Sequence, residues 1–200
     1  MKILDSIQQG TLEWVAARTG LPSASQFSNI ITSTGTASKS RKKYLYKLAG
    51  ERVTGHRDEL YQTPAMRRGI ELEPEARETF VMLTGIEVEQ VGMCMHDSGL
   101  FSCSPDGLIS RNRGLEIKCP NMETHIEYLL GNKTPADYYQ QVHGSMLVTG
   151  CTEWFFMSYY PGLKPFIHLE KRDEDFCNKL ETELIKFCSD LDKIVEEITQ

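Results

Sequence analysis

The residues of this chain best suited to chemistry are Asp106, Glu116 and Lys118. They sit in the runs Ser104-Pro105-Asp106-Gly107-Leu108-Ile109 and Leu115-Glu116-Ile117-Lys118-Cys119-Pro120. Leu108-Ile109 and Leu115–Ile117 read as two short strands around a polar turn, Arg111-Asn112-Arg113-Gly114. Side chains alternate along a strand, so Glu116 and Lys118 share one face while Leu115 and Ile117 enter the core. With the hairpin centred on Asn112, Asp106 lies opposite Lys118 and diagonal to Glu116; the turn chemistry leaves a one-residue slip open. Two carboxylates that close either share an ammonium group or take up a hard cation such as Mg²⁺, which accepts carboxylate and carbonyl oxygens. A lysine two residues from a metal ligand can then position or deprotonate an attacking water, or neutralise a phosphate. Three residues alone leave two readings open: an ion-paired hairpin and a metal-dependent hydrolytic site.

The elements that must position them follow from local signals. Thr11 to Arg18 suits a short helix ended at Gly20 and Pro22, with Trp14 as a core anchor. Ser23-Ala24-Ser25-Gln26 has capping-box spacing and opens a helix whose apolar face is Phe27, Ile30 and Ile31. The hydroxyls of Ser23 and Ser25, close in sequence to Arg18, suit a phosphate cradle as well as simple capping. Thr32 to Ser38 reads as a mobile loop. Lys39, Arg41, Lys42 and Lys43 then head a helix carrying Tyr44, Leu45 and Leu48. Cations there oppose the helix dipole, so the run reads either as a grip on duplex phosphates or as a solvated face.

A longer helix starts at Thr63-Pro64, runs to Leu83 and stops at Gly85, with Gly69 and Pro74 as possible bends. Glu73 on this helix is a further candidate for metal or water contact. Strands are expected over Ile86–Val91 and Leu100–Ser104, then a helix from Asn121 to Gly131 and another from Thr134-Pro135 that contains Tyr138 and Gln141. Two more strands, Glu153–Tyr160 and Phe166–Leu169, precede a last helix from Asp173. Phe176, Leu180, Leu184, Cys188, Leu191, Val195 and Ile198 give that helix one apolar stripe, which packs on the body or on a neighbouring subunit. The order predicts a mixed α/β fold with a central sheet flanked by helices.

At 200 residues the chain suits a single domain: a helical part over 1–85, a sheet core over 86–170 and a C-terminal helix over 173–199. No apolar run is long enough to span a membrane, and the start lacks the apolar stretch of a signal peptide, so the reading is cytoplasmic. The six cysteines form no Cys-x-x-Cys pair, which argues against zinc and against a disulfide framework; they read as small buried hydrophobes. The net charge of −6 is uneven: residues 1–80 hold 12 basic against 9 acidic side chains, and residues 81–200 hold 10 against 19. A footprint for phosphates must therefore come from the first half.

Pro-Asp followed at a distance by Glu-x-Lys resembles the signature of the PD-(D/E)xK nuclease superfamily, whose fold is a restriction-endonuclease-like mixed sheet flanked by helices. The narrower wording, Ser104-Pro105-Asp106-Gly107 with Leu115–Pro120, is similar to the λ-exonuclease or YqaJ-type viral recombinase family. Glu13-Trp14 through Arg18 and Gly20 to Ser25 and Asn29, Gly69 with Glu73, and Gln141-Val142 resemble further blocks of that family. The absence of clustered cysteines sets the chain apart from the iron–sulfur branches of the superfamily. The resemblance implies a 5′→3′ exonuclease on double-stranded DNA, working with one or two Mg²⁺ ions that Mn²⁺ can replace. It implies metal binding by Asp106, Glu116 and the main-chain carbonyl of Ile117, with Lys118 and Glu73 completing the catalytic set and Gln141 nearby. Arg18 and Ser25, with Ser23 beside them, would take the terminal 5′-phosphate. It also implies a homotrimeric ring around duplex DNA and a phage single-strand-annealing protein as partner. Pro22, Ser23 and His143 depart from the λ protein's pattern, away from the acid–lysine core. An endonuclease of the same superfamily and a non-catalytic DNA-end-binding module are the alternatives.

Overall fold

The computed structural model describes residues 1–57 and 63–200. In chain order the elements are β1 (Lys2–Ile3), α1 (Leu12–Arg18), a 3₁₀ turn (Ala24–Asn29), α2 (Arg41–Thr54), α3 (Pro64–Thr84), β2 (Cys94–Met95), β3 (Ser102–Cys103), β4 (Gly107–Ile109) and β5 (Arg113–Lys118). There follow α4 (Met122–Gly131), a 3₁₀ turn (Ala136–Tyr138), α5 (Tyr139–Thr149), β6 (Glu153–Ser158), β7 (Phe166–Lys171) and α6 (Glu174–Thr199). Side-chain caps start several helices. Thr11, Thr63, Asn121 and Asp173 each accept a main-chain N–H of the first turn, at about 1 kcal/mol apiece. Helix α3 runs unbroken through Pro74.

The main sheet has the order β4-β5-β6-β7, antiparallel except for the parallel pair β5–β6. A parallel neighbour needs a crossover, and α4 and α5 supply it. One face carries Leu115, Ile117 and Met157, covered by Ala76 and Phe80 of α3. The opposite face carries Trp154 and Phe156, both fully buried, and meets the larger core of α2, α5 and α6. Burying rings of that size contributes up to roughly 3 kcal/mol each. Gly114 makes room for Trp154: a Cβ there would stand 2.3 Å from the indole.

Helix α5 is buried nearly all round. At Gly144 it presses on Phe27 so closely that a Cβ would fall 2.4 Å from that ring. Helix α6 lays Phe176, Leu180, Leu184 and Leu191 on the body, and the stripe thins at Val195 and ends before the exposed Ile198. All six cysteines are free, and five are buried.

Three expected elements differ. Residues 86–91 make a single bridge, Glu89 to Leu108, instead of a strand. The chain must turn there to bring Gly92 against Ile7, where a Cβ would lie 1.5 Å from the Ile7 carbonyl oxygen. The helix expected after Ser23 is the short 3₁₀ turn, and Ser23 makes no side-chain cap. Residues 32–38 form a braced turn, with Thr36 N donating to Thr32 Oγ1 at 3.2 Å and Ile31 bridging Ala37.

Candidate active site

The β4–β5 hairpin is centred on Arg111, since Gly107 pairs with Leu115 and Ile109 with Arg113. The expected centre at Asn112 is therefore one residue off. Ser110 takes a left-handed conformation, φ 59°, and closes the turn one residue earlier than the pattern suggested. Continued by one residue, this register sets Asp106 across from Glu116, not Lys118. Asp106 Oδ2 accepts the Ile117 N–H at 2.6 Å.

Glu116 is 2 % exposed. Two donors converge on its Oε1: Lys118 Nζ at 2.5 Å and Gln141 Nε2 of α5 at 2.5 Å. The Lys118 ammonium also stands 5.0 Å from the centre of the Tyr138 ring, within cation–π range. From the other side, α3 brings Glu73, which is paired with Arg77 one turn later. A cleft of ≈ 400 Å³ opens between α3 and the strand, with Glu73, Asp106 and Lys118 facing Met66, Ile70 and Tyr138.

Electrostatics mark this cleft. Burial pushes the Asp106 carboxyl well above the ordinary range; Glu116 and Glu73 push the same way, while Lys118 and the Ile117 N–H pull back. Burial alone would depress the Lys118 ammonium, but Glu116 and Asp106 outweigh it and hold it above the usual lysine value. Lys118 as it stands is a charged donor, suited to holding a water or a phosphate oxygen. Among the described residues no cluster of three or more His, Cys, Asp or Glu could hold a metal by side chains alone. Two carboxylates with a main-chain carbonyl are nevertheless hard oxygen donors, and Asp106, raised first by burial and then by its acidic neighbours, is an acid whose charge a bound cation would relieve. The donor set fits a hard divalent cation.

A second constellation is built on α1 and the 3₁₀ turn that follows it. Arg18 is 9 % exposed, and its guanidinium lies 4.1 Å from the centre of the Trp14 ring. Its Nη2 donates to Ser23 Oγ at 2.9 Å and to Ser25 Oγ at 3.3 Å, while Nε is buried without a partner. Burial, helped by Arg57, lowers the Arg18 pKa to about 10, so it stays charged. Among the described residues its hydrogen-bond acceptors are neutral hydroxyls, and a buried cation so placed suits an anion. Trp14 Nε1 donates to Ser104 Oγ at 3.0 Å, two residues from Asp106, which fixes this pocket to the acid loop.

In the basic run, Lys39, Lys42 and Lys43 are exposed. Arg41 is committed elsewhere: it pairs with Glu183 at 3.3 Å and Asp190 at 3.1 Å on α6. Its place in a phosphate grip is thus taken by a structural role. Sequence reading missed Arg77 and Tyr138, and took Trp14 only as a core anchor. Spacing of four residues, Glu73 to Arg77 and Trp14 to Arg18, was the available signal.

Residues 13–152 match the model of the YqaJ-like viral recombinase domain. The chain belongs to that family. The matched span runs from the Arg18 pocket through Asp106 and Lys118 to Gln141. An alkaline exonuclease of Laribacter hongkongensis, LHK-Exo, is 35% identical, with a TM-score of 0.87 over 94% of this chain and 96% of its own. Its complex with dAMP superposes with a TM-score of 0.86 at the same identity and coverage. A phage-related exonuclease from Haemophilus somnus 129PT, 14% identical, shares the fold with a TM-score of 0.73 over 89% of this chain and 96% of its own. No curated protein gives a significant match. The fold is thus the mixed α/β nuclease fold that the motif implied.

Proposed function

We propose that this YqaJ-family chain is a metal-dependent deoxyribonuclease that digests one strand of duplex DNA from its 5′ end, leaving a 3′ single strand for recombination by annealing. The observation that carries this reading is the coupling of two sites. The Asp106–Glu116–Lys118 cleft and the Arg18 anion pocket are joined through Trp14 and Ser104. A cleaving centre fixed relative to a phosphate-end pocket measures a set distance from a strand terminus, which is what an exonuclease needs. The likeness to LHK-Exo, an alkaline exonuclease seen with dAMP, supports the same reading.

Asp106, Glu116 and the Ile117 carbonyl would hold Mg²⁺, or Mn²⁺ in its place. When bound, the ion polarises the scissile phosphate and lowers the pKa of the attacking water. Lys118 holds that water or a non-bridging phosphate oxygen from its ammonium, with Glu116 and Tyr138 fixing its position. Gln141 keeps Glu116 oriented, and Glu73 supplies a further acceptor at the cleft wall. Arg18, Ser23 and Ser25 receive the 5′-phosphate; Lys39, Lys42 and Lys43 lie along the duplex. The family resemblance adds a homotrimeric ring, a single-strand-annealing partner and a bacterial cytoplasm as the working place. No helix among the described residues is long and apolar enough to cross a membrane.

The test is digestion of linear duplex labelled separately at its 5′ and 3′ termini, with Mg²⁺, beside closed circles of the same sequence. Early loss of the 5′ label with intact circles is the expected result. Cut circles would move the assignment to an endonuclease, and no cleavage of either to an end-binding module.

A further inference from the structure

We propose that Arg77 is a positioning residue of the active site, setting the separation between Glu73 and the Asp106 loop. This inference rests on the exonuclease reading above. One side of the guanidinium reaches both partners: Nη2 pairs with the Glu73 carboxylate, and Nε donates to the main-chain carbonyl of Asp106 at 3.1 Å. With its amide oriented by its neighbours, Gln90 accepts from Nη1 at 2.7 Å. The side chain is 12 % exposed, against 33 % for Glu73.

The geometry explains why an arginine stands here. Glu73 belongs to α3 and Asp106 to the segment entering β4, and no strand pairing joins the two elements. Asp106 is gripped at both ends, its carboxylate by the Ile117 N–H and its carbonyl by Arg77. Two carboxylates, Glu73 and Asp106, therefore face one cleft with their carriers tied together, and Arg77 offsets the charge of Glu73. A rigid planar fork meets two acceptors at fixed spacing, which the single flexible ammonium of lysine cannot do. Outer residues of this kind hold reacting groups within a fraction of an ångström, and their loss costs roughly 10–100-fold in metal affinity or activity.

The experiment compares parent, Arg77→Met and Arg77→Lys in three measurements: steady-state digestion of linear duplex, Mn²⁺ binding followed by EPR without DNA, and thermal unfolding in EDTA. Arg77→Met is expected to lower kcat and weaken Mn²⁺ binding by about tenfold. Its KM for duplex ends should stay within about twofold, and any fall in its unfolding midpoint should leave it fully folded at the assay temperature. Arg77→Lys, retaining charge but not the fork, is expected to behave like Arg77→Met. Full recovery by lysine overturns the fork argument. Parent-like kcat and Mn²⁺ binding in Arg77→Met, or a loss that merely tracks unfolding, overturns the role altogether. A parent that neither digests DNA nor binds Mn²⁺ identifies the site reading itself as the failure, and the proposal falls with it.

Discussion

Gln141 and Lys118 hold the same oxygen of Glu116, each at 2.5 Å, one from a crossover helix and the other from the strand itself. That carboxylate is almost without solvent, so its orientation is set by these two donors. Gln141→Leu removes one donor at nearly constant bulk. Turnover is expected to fall about tenfold, with duplex affinity unchanged, because a hydrogen bond to a charged group contributes about 1.5–3 kcal/mol. Single-turnover rates beside binding isotherms check this; a change in affinity alone would place Gln141 outside the chemistry.

Lys118→Ala leaves Glu116 and Asp106 without their common cation. Hydrolysis should drop by at least about 10²-fold while duplex binding persists. Gel-shift and digestion assays on one preparation decide it, and robust Mg²⁺-dependent cleavage by this variant would overturn the assignment.

Arg18→Gln keeps hydrogen-bonding capacity but removes the buried charge. The rate ratio for 5′-phosphorylated over 5′-hydroxyl ends should collapse toward one, from a parent preference on the order of tenfold or more. Paired digestions of the two end types measure it. An unchanged ratio would return Ser23, Ser25 and Arg18 to a purely structural role.

Asp106 gives the metal-free protein a pH signature. Its folded carboxyl holds a proton more tightly than the unfolded one, whose ordinary value is 3.8. The associated stability is present at acid pH and is lost as pH rises through the raised folded value. In EDTA the parent should lose stability as pH rises above the ordinary carboxyl value of 3.8, and Asp106→Asn should flatten that slope. Millimolar Mg²⁺ should restore the parent at neutral pH and leave the variant unmoved. Melting curves at several pH values suffice, and parallel slopes for the two proteins would contradict it.

The basic run divides by function. Replacing Lys39, Lys42 and Lys43 together with alanine should flatten the salt dependence of duplex binding by about 2 to 3 in log–log slope. Arg41→Ala should instead lower the melting point, since it strands Glu183 and Asp190 on α6. Salt titrations and unfolding curves separate the two effects.

The acids and the lysine were legible because they lie within one hairpin, where a period of two residues assigns faces. Glu73 stood out on its helix as one acid among several and Gln141 only as part of a family-like block, because nothing local shows that α3 and α5 both reach the strand. The hairpin register was missed by one residue because it turned on the left-handed Ser110, a conformation serine seldom adopts. The strand expected over 86–91 was overruled by the need to seat Gly92 on Ile7, a tertiary contact. Arg77 was illegible for the same reason: its second acceptor, the Asp106 carbonyl, comes from a distant segment.

The ion pairs of Arg41 with Glu183 and Asp190, and of Arg52 with Asp192, join segments about 140 residues apart. Tyr44 stacks on Phe187 across the same seam, 5.6 Å between ring centres. Helix α2 therefore completes the burial of its apolar face against α6. In a nascent chain part of this α2 face, Tyr44 among it, waits for a partner about 140 residues further on, so the seam closes late.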